Sequence, residues 1–359
     1  MKRISIPGLA ALSPRSGIGR VVHNLEAHLS KEVVLSNLNY RTIDLPLVRN
    51  FPVQIIGKQP ETVVFPQLTG VRNVKILKKT NKSVAIIHDI GIVDCVLDKN
   101  LLNPISRAMV MYDLYCLKYI DLIVAVSEFT RNRLIKYYPG LEEKIVVVPN
   151  SLGESFISFT TEKAVSKRET CRMLNIGLES EILLYVGTEL PRKNLTLLFD
   201  TLIELKKTNN RIILIKAGGP GGEHCRKETL YQINARGLKL EKDIFIRDNI
   251  SEEELLGYYN SATATVLPSL YEGFGLPVIE SLALKTPIVA ADGSAMNEIA
   301  SRHAMIHTPN TQCFKNAIVE IIANGLTGKQ KEGMASIKSE YSPQNQANLL
   351  YNKIEAILK

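Results

Sequence analysis

Short apolar runs alternate along this chain with stretches in which apolar and polar positions recur at helical spacing. Uninterrupted apolar runs of strand length are typical of strands buried on both faces. Their alternation with amphipathic helices is typical of parallel sheets covered by helices on both sides. The pattern therefore predicts an α/β protein, with helices at 104–119 and 130–138 and strands at 62–65, 84–88, 122–127, 145–149, 182–186, 212–217, 244–247, 264–267 and 288–291.

The length and the pattern together predict two domains. The chain has 359 residues, of which 45% are hydrophobic, and this is enough for two separate cores. The segment 158–170 is polar and charged and shows no strand pattern. We therefore predict a first Rossmann-like domain over 1–160 and a second over 171–340, with a ligand cleft between the carboxyl ends of their sheets.

Composition narrows the class of protein. No apolar run approaches the roughly 18 residues that a membrane-spanning helix needs. The five cysteines are widely scattered and form no Cys-x-x-Cys pair, which argues against a structural zinc site and a disulfide framework. This usage favours a reducing compartment, so the cytoplasm is the expected location.

The positive charge is concentrated in the first half. The net charge is +8, and residues 1–155 hold 20 Lys/Arg against 13 Asp/Glu, which leaves a surplus of 20 − 13 = 7. Aromatic residues are not interleaved with the basic ones as a nucleic-acid stacking platform requires, so no nucleic-acid partner is expected. An anionic membrane surface at the inner face, or an anionic acceptor, fits the charge better. An ordinary solvated basic face is the alternative.

The stretch Tyr271–Glu280 places carboxylates on both sides of a glycine-rich bend. Glu272 precedes Gly273-Phe274-Gly275-Leu276, and Glu280 lies one turn inside the helix that Pro277 is expected to begin. Free backbone N–H groups and the positive end of the helix dipole suit a phosphate at this point. The site would offer one carboxylate for sugar hydroxyls and one for ribose hydroxyls. The alternative is a plain strand–turn–helix corner with a capping and a solvated glutamate.

This stretch resembles the signature of retaining glycosyltransferases of family 4, the glycosyl transferases group 1, in which seven residues separate two glutamates. The resemblance extends to Pro268-Ser269 and to 287–290. It implies that Glu272 approaches the donor sugar and that Glu280 hydrogen-bonds the nucleotide ribose. It also implies the GT-B architecture, in which two Rossmann-like domains face a central cleft and the last helix, here 343–359, crosses back to the first domain.

Other motifs follow the ends of predicted strands. Arg192 and Lys193 come after the strand 182–186, where a guanidinium and an ammonium together can neutralise a diphosphate. Many family members have an arginine directly after the glycine of this loop, whereas this chain has Thr188 and resembles the subgroup with Pro-Arg-Lys-Asn. His88 ends the strand 84–88, and the resemblance implies that it contacts the donor sugar.

The remaining expected contacts come from glycines and from one strand end. A loop with Gly17 and Gly19 precedes a predicted helix, and the resemblance implies that it contacts the donor phosphates. Arg247 ends the strand 244–247, near where related proteins hold the base. The expected catalytic residues are Glu272, His88, Lys193 and Arg192, and the expected donor-binding residues are Gly17, Gly19, Arg192, Lys193, Arg247, Gly273, Phe274, Gly275, Leu276 and Glu280.

The resulting hypothesis is a retaining hexosyltransferase that uses a nucleotide diphosphate sugar. GDP-mannose is the first choice of donor and a UDP-sugar the second, with no cofactor and, since no Asp-x-Asp motif occurs, no metal ion. The acceptor would be a glycan or lipid-linked hydroxyl in polysaccharide, lipid-linked glycan or glycoprotein synthesis. The alternative is an inactive partner subunit of the same fold that binds nucleotide sugar or glycan. A nicotinamide dehydrogenase is disfavoured because the third glycine of the dinucleotide fingerprint is missing.

Overall fold

The computed structural model describes residues 3–5, 19, 23, 27–28, 34–36, 39–45, 48–56, 61–76, 81–98, 101–299, 305–326 and 328–358. The chain divides into two compact units. The first contains Met1–Ser151 together with Pro343–Lys359, and the second contains Leu152–Ser342. None of the described helices is long and apolar enough to cross a membrane. All five cysteines lie within the described residues and are free thiols.

The first unit is built from strands β1 Arg3–Ser5, β2 Val34–Ser36, β3 Asn39–Leu45, β4 Val48–Ile56, β5 Thr62–Phe65, β6 Lys82–Ile87, β7 Leu122–Ala125 and β8 Ile145–Val147. Its helices are α1 Gly91–Asp94, α2 Pro104–Cys116 and α3 Glu128–Tyr137, with 3₁₀ helices at Val71–Ile76, Val96–Asp98, Leu117–Tyr119 and Pro139–Lys144. A parallel sheet runs in the order β2-β1-β5-β6-β7-β8, and β3 and β4 form an antiparallel pair.

The first unit has a core on the side of the sheet that faces α2 and α3, and the other side is buried too, since Val64, Val84, Ile86 and Val124 are at most 4% exposed. Alternate residues of β5, β6 and β7 are buried together with the inner sides of α2 and α3, because side chains on one face of a strand recur every second residue. The buried set includes Val63, Phe65, Ala85, Ile87, Ile123, Ala125, Leu114, Leu117 and Leu134. Both helices begin at side-chain caps, since Asn103 accepts from the Ser106 amide (2.8 Å) and Ser127 from the Thr130 amide (3.0 Å).

The second unit contains strands β9 Glu181–Val186, β10 Ile212–Ala217, β11 Ile244–Arg247, β12 Ala264–Leu267, β13 Ile288–Ala291 and β14 Met305–His307. Its helices are α4 Glu154–Ser158, α5 Lys163–Leu174, α6 Leu195–Lys206, α7 Glu223–Ala235, α8 Glu252–Ser261, α9 Leu276–Ala283, α10 Met296–Ile299, α11 Thr311–Asn324 and α12 Gly328–Glu340. The sheet is parallel throughout, in the order β11-β10-β9-β12-β13-β14.

The strand order reverses between β9 and β12. From β9 the chain proceeds outward through β10 to β11, and it then returns to the other side of β9 and proceeds outward through β12 to β14. At such a reversal the loops that follow the two central strands diverge and leave a crevice at their carboxyl ends. The fold therefore provides a ligand position beside β9 and β12.

The division between the units differs from the predicted junction at 158–170. Most of that polar segment belongs to α5, whose buried Ser166, Thr170 and Leu174 pack the helix onto the second unit beside α8. The segment is polar because one face of this helix is exposed to solvent. It is therefore part of the second unit and not a linker. The last helix, α13 Pro343–Leu358, belongs to the first unit and packs beside β6.

Candidate functional site

Two loops meet where the strand order reverses, and each carries one charged residue of the predicted site. Lys193 follows β9 and Glu272 follows β12. Lys193 Nζ lies 2.7 Å and 2.8 Å from the two carboxylate oxygens of Glu272. The side chains are only 14% and 12% exposed, so the pair is largely shielded from water. The sequence assigned these residues to different parts of a donor, and the structure joins them.

The loop after β9 has a backbone that presents Lys193 in a fixed direction. Pro191 begins a single 3₁₀ turn that ends at Lys193. Asn194 then adopts the left-handed conformation (φ 55°), which asparagine tolerates better than most residues, before α6 begins. The Arg192 carbonyl accepts a hydrogen bond from the Leu270 amide (2.8 Å), which ties this loop to the loop after β12. The Pro-Arg-Lys-Asn motif thus shapes the backbone of the loop and also supplies its charged side chains.

The loop that carries Glu272 is supported by the loop after β13. The Glu272 amide donates to Ser294 Oγ (3.1 Å), and the Glu272 carbonyl accepts from the Ala295 amide (3.2 Å). The backbone of Glu272 is therefore held on both sides, while its carboxylate is held by Lys193. Such a supported carboxylate suits the orientation of a substrate hydroxyl.

Glu280 is the fifth of the eight residues of α9, which begins at Leu276, so Pro277 occupies the second helical position and not the first as predicted. Glu280 is 2% exposed, and its Oε2 accepts a hydrogen bond from Tyr259 Oη at 2.7 Å. A buried carboxylate held by a tyrosine is well fixed for binding a hydroxyl. Its predicted contact with a ribose stays a prediction.

The remaining glycine-loop residues shape the start of α9. Gly273 and Phe274 are buried, and the Phe274 ring packs edge to face against Tyr341 with centroids 6.0 Å apart. Gly275 has φ +97°, and a Cβ there would lie 2.8 Å from Met296 Sδ. The Phe274 side chain therefore serves packing, and Gly275 permits the turn.

We expect Gly275→Ala to lower the free energy of unfolding by about 1–2 kcal/mol, the cost of a left-handed conformation for an L-residue with a side chain. The thioether of Met296 is flexible and can move, so backbone strain is the larger effect. Urea unfolding measures the change. Gly257→Ala is the matched control, since Gly257 lies within α8 with no atom within 4 Å of an added Cβ. It should be neutral or stabilising by about 0.5–1 kcal/mol, and equal losses in both variants would contradict the strain argument.

Arg247 is not brought to the Lys193–Glu272 pair by the structure. It ends β11, and its guanidinium makes two hydrogen bonds of 2.8 Å to the Glu241 carboxylate. The guanidinium also lies 5.4 Å from the centroid of the Phe245 ring. Its side chain is thus engaged locally, and its predicted contact with a donor stays a prediction.

In the first unit, His88 directly follows β6 and is buried. Its Nε2 lies 3.0 Å from the Pro66 carbonyl oxygen, which can only accept, so Nε2 carries the proton. Burial lowers the pKa of His88 despite the opposing effects of Pro66 and Asp89, and the ring is neutral at pH 7. Nδ1 is a buried acceptor with no hydrogen-bond partner among the described residues. It is suited to accept a hydrogen bond from a hydroxyl. Of the two predicted loop glycines, Gly19 is buried in a helical position, and Gly17 lies outside the described residues.

A buried charge network behind the loop after β9 was missed by the sequence analysis. Lys216, the fifth of the six residues of β10, is 1% exposed, and its Nζ lies 2.7 Å from Glu189 Oε1. Arg226 of α7 also binds Glu189, at 2.7 Å, and binds Asp248 at 2.8 Å. Burial acts to raise the pKa of Glu189, but hydrogen bonds from Arg226 and Lys216 outweigh it and hold the pKa below its usual value.

This network fixes the loop that presents Lys193. Glu189 lies four residues before Lys193 in that loop, and its amide also donates to the Pro220 carbonyl at 3.1 Å. The signal for the network was one lysine inside the apolar strand 212–217, because a charge at such a position must be paired. The identity of its partner could not be read from the sequence.

This chain is similar to several known proteins, including the three that follow. O-antigen chain mannosyltransferase B of Escherichia coli is 27% identical over 243 residues, which are 65% of this chain and 58% of that protein. D-inositol 3-phosphate glycosyltransferase of Kineococcus radiotolerans is 30% identical over 175 residues, which are 48% of this chain and 39% of that protein. The chain thus spans well under two thirds of these curated relatives. The crystal structure of HepE from Anabaena in complex with UDP and glucose has a TM-score of 0.76 over 99% of this chain and 100% of that chain, at 13% identity.

The family model described as glycosyl transferases group 1 matches residues 166–337, which lie within the second unit and contain Lys193, Glu272 and Glu280. The mannosyltransferase and inositol phosphate glycosyltransferase relatives are consistent with family 4 within that group. The likeness to HepE concerns the fold alone at its low identity, and it agrees with the two parallel Rossmann-like sheets. The chain has the GT-B fold, and its residues 166–337 match the glycosyl transferases group 1.

Proposed function

We propose that this protein is a retaining glycosyltransferase that moves a hexose from a nucleotide diphosphate sugar to an acceptor hydroxyl. The observation that carries the proposal is the shielded pair of Lys193 and Glu272 at the point where the strand order of the second unit reverses. Ligands of open α/β sheets bind at such points. A cation and a carboxylate there match the two halves of the donor, the diphosphate and the sugar.

In the proposed reaction the bond between the anomeric carbon and the diphosphate oxygen breaks, and the anomeric carbon forms a bond to the acceptor oxygen on the same face. The acceptor proton passes to the leaving diphosphate. Negative charge develops on the diphosphate, and the ammonium of Lys193 with the guanidinium of Arg192 would stabilise it. Glu272 would orient the sugar hydroxyls, and Glu280, fixed by Tyr259, would bind the ribose.

The role proposed for His88 follows from its protonation. Because the neutral ring donates from Nε2 to Pro66, Nδ1 can accept from a hydroxyl of the donor sugar. This role needs no proton transfer by the histidine. His88→Ala in the donor assay described below tests it, since loss of a single orienting contact should reduce turnover without changing which nucleotide is released.

Mannose is the proposed sugar and GDP the first choice of base, with a UDP-sugar as the second. The similarity to an O-antigen chain mannosyltransferase supports mannose, whereas the likeness to HepE bound to UDP supports the second choice. The acceptor is proposed to be a glycan or a lipid-linked hydroxyl, used in polysaccharide, lipid-linked glycan or glycoprotein synthesis. The proposal requires no cofactor or metal ion beyond the donor. It also includes a cytoplasmic location, with the basic first unit in contact with an anionic membrane.

The test is a donor panel on the purified chain. GDP-mannose, other GDP-sugars and UDP-sugars are each assayed for nucleotide release and for thermal stabilisation, with wild-type protein and Glu272→Ala. A donor present at 100 times its Kd should stabilise the fold by about 2.7 kcal/mol. We expect one nucleotide class to stabilise the protein and to be released, and Glu272→Ala to reduce release from that donor.

Two results would contradict the proposal. Folded protein that neither binds nor turns over any donor would favour the inactive partner subunit. A product whose anomeric configuration is opposite to that of the donor would contradict the retaining mechanism and leave the transferase assignment intact.

A further inference from the structure

One helix of the first unit is apolar on both sides. The inner side of α2 packs into the core through Leu114 and Cys116. The outer side carries a line of residues at helical spacing that continues through the 3₁₀ turn Leu117–Tyr119. We call this line the tyrosine face, and it consists of Ile105, Ala108, Tyr112, Tyr115 and Tyr119. A helix with one side in the core normally presents polar residues to solvent on the other.

The tyrosine face is well exposed. The side chain of Ile105 and the three tyrosines of this face are between 39% and 46% exposed, and the neighbouring Met111 is 42% exposed. The rings form one continuous surface, because the centroids of Tyr112 and Tyr115 are 6.3 Å apart and those of Tyr115 and Tyr119 are 6.2 Å apart. A contiguous exposed apolar surface of this kind marks an interaction site more often than scattered single residues do.

Lysines surround the rings. Lys75 donates to Tyr112 Oη at 2.8 Å, and its Nζ lies 4.9–5.7 Å from the centroids of all three tyrosines. Lys118 Nζ lies 3.7 Å from the Tyr115 centroid and 5.0 Å from that of Tyr119. Along the sequence, aromatic residues are not interleaved with the basic ones as a stacking platform requires. The fold brings them together, since Lys75 is 37 residues from Tyr112.

Negative charge is absent from the exposed side of this helix. Asp113 is the one acidic residue between Pro104 and Tyr119, and its side chain is fully buried in an ion pair with Arg72. Arg107 and Lys118 are exposed on the same segment. In the neighbouring turn Pro139–Lys144, the carboxylate of Glu142 is paired with Arg131, and Glu143 is exposed. The exposed side of the helix itself is thus apolar, aromatic and positive.

Resting on the membrane contact that the proposed function includes, we propose that the tyrosine face, with Lys75, Arg107 and Lys118, is the surface that docks onto the headgroup region of an anionic lipid bilayer. Tyrosine rings are amphipathic and favour the headgroup level of membranes. Lysine stems can lie along apolar surface while their ammonium groups reach anionic headgroups. The surplus of seven positive charges in residues 1–155 has the sign that such a surface attracts.

The composition of the tyrosine face favours a bilayer over a protein partner or a single-stranded nucleic acid. Lysine is depleted in protein–protein interfaces, whereas two lysines cover these rings. A single-stranded nucleic acid would need open ring faces for stacking, and the ammonium groups of Lys75 and Lys118 lie over them. The exposed aliphatic side chains of Ile105 and Met111 suit the boundary with the acyl chains.

The experiment measures co-sedimentation of the full chain with large unilamellar vesicles. One set contains phosphatidylcholine alone and the other contains phosphatidylcholine with phosphatidylglycerol. We expect binding to the anionic vesicles only, and weaker binding as salt is added. Lys75→Gln with Lys118→Gln should lower the partition coefficient by about 5-fold for each lysine, as about 1 kcal/mol per basic residue implies.

Removing the rings tests the aromatic part. Tyr115→Ser with Tyr119→Ser should lower the partition coefficient several-fold, whereas Tyr231→Ser, which removes a tyrosine 65% exposed on α7 of the second unit, should not change it. Thermal unfolding checks that each variant is folded. If the tyrosine variant does not fold, the lysine variant still decides. Vesicle binding requires no turnover, so this result is independent of the donor panel.

Three results would overturn the proposal. Wild-type protein could fail to bind anionic vesicles at low salt, or both double variants could bind as wild type does. The third result is concentration-dependent self-association in light scattering, or binding of a single-stranded RNA oligonucleotide, that the tyrosine variant abolishes while vesicle binding persists. That result would identify the tyrosine face as a protein or nucleic-acid interface.

Discussion

Lys193→Ala should lower kcat for donor turnover by about 10²- to 10³-fold, the loss found when one preorganised group that stabilises developing negative charge is removed. Lys193 is the ammonium held 2.7 Å from Glu272 at the reversal of strand order, where the leaving diphosphate is proposed to lie. Steady-state nucleotide release measures the effect. Lys207→Ala is the matched control, because Lys207 is 62% exposed and pairs with Glu204 at the surface of the same unit.

A cycle with Glu272 separates chemistry from structure. Lys193→Ala leaves a shielded carboxylate without its ammonium, which should cost on the order of 1–3 kcal/mol of unfolding free energy. The double variant Lys193→Ala/Glu272→Ala removes both charges and should recover part of that stability, but it should recover no turnover. Restored turnover in the double variant would mean that the pair is structural and that the diphosphate is bound elsewhere.

Glu189→Ala should have the largest effect on stability, a loss of roughly 3 kcal/mol, because it leaves the ammonium of Lys216 buried without its main counter-charge. The 1% exposure of Lys216 decides this magnitude. Urea unfolding at pH 7 measures it. Glu223→Ala is the control, since the pair of Glu223 with Lys227 is 82% and 73% exposed and should contribute less than about 1 kcal/mol.

The double variant Glu189→Gln/Lys216→Met removes the buried charge and should be less destabilised than Glu189→Ala. The effect of pH has a definite sign. Because the folded-state pKa of Glu189 is depressed, its stabilising effect is present above the pKa of the unfolded chain and is lost as pH falls through the folded-state value. If Glu189→Ala is as stable as wild type at pH 7, the network does not hold the loop.

The strands of the second unit could be predicted closely from the sequence. The predicted ranges 212–217, 244–247, 264–267 and 288–291 coincide with β10, β11, β12 and β13. Strands that are buried on both faces of a parallel sheet read as uninterrupted apolar runs, and turn residues mark their ends. For such strands, the local pattern of apolar and turn residues is almost sufficient to predict where each strand begins and ends.

The first unit shows where local pattern is insufficient. The antiparallel pair of β3 and β4 was not predicted, since Pro52 lies within β4 and proline normally argues against a strand. Pro52 pairs with Thr42 beside a shift in register, where a missing N–H donor is tolerated. The shift in register exists only in the pairing of the two strands, so the sequence of either strand alone could not indicate it.

In the candidate site, the residues could be predicted from the sequence, but their contacts could not. Glu272, Glu280 and Lys193 were identified because each lies in a short motif beside a strand end. The ion pair between Lys193 and Glu272 could not be predicted, because it depends on β9 and β12 being neighbours in the sheet. The network around Lys216 depends on strand order as well, because its partners Glu189 and Asp248 follow β9 and β11, and Arg226, which binds both carboxylates, lies on the helix after β10.

The pairing of Lys193 with Glu272 also has a consequence for how the protein folds. The two residues are 79 positions apart, so their contact closes a long loop and can form only after β12 has docked against β9. Contacts with such sequence separation incur their entropy cost before they contribute stability, and they slow folding. A donor that requires both residues would bind only to chains that have completed this step. Recovery of donor binding during refolding would therefore time the closure of the central sheet.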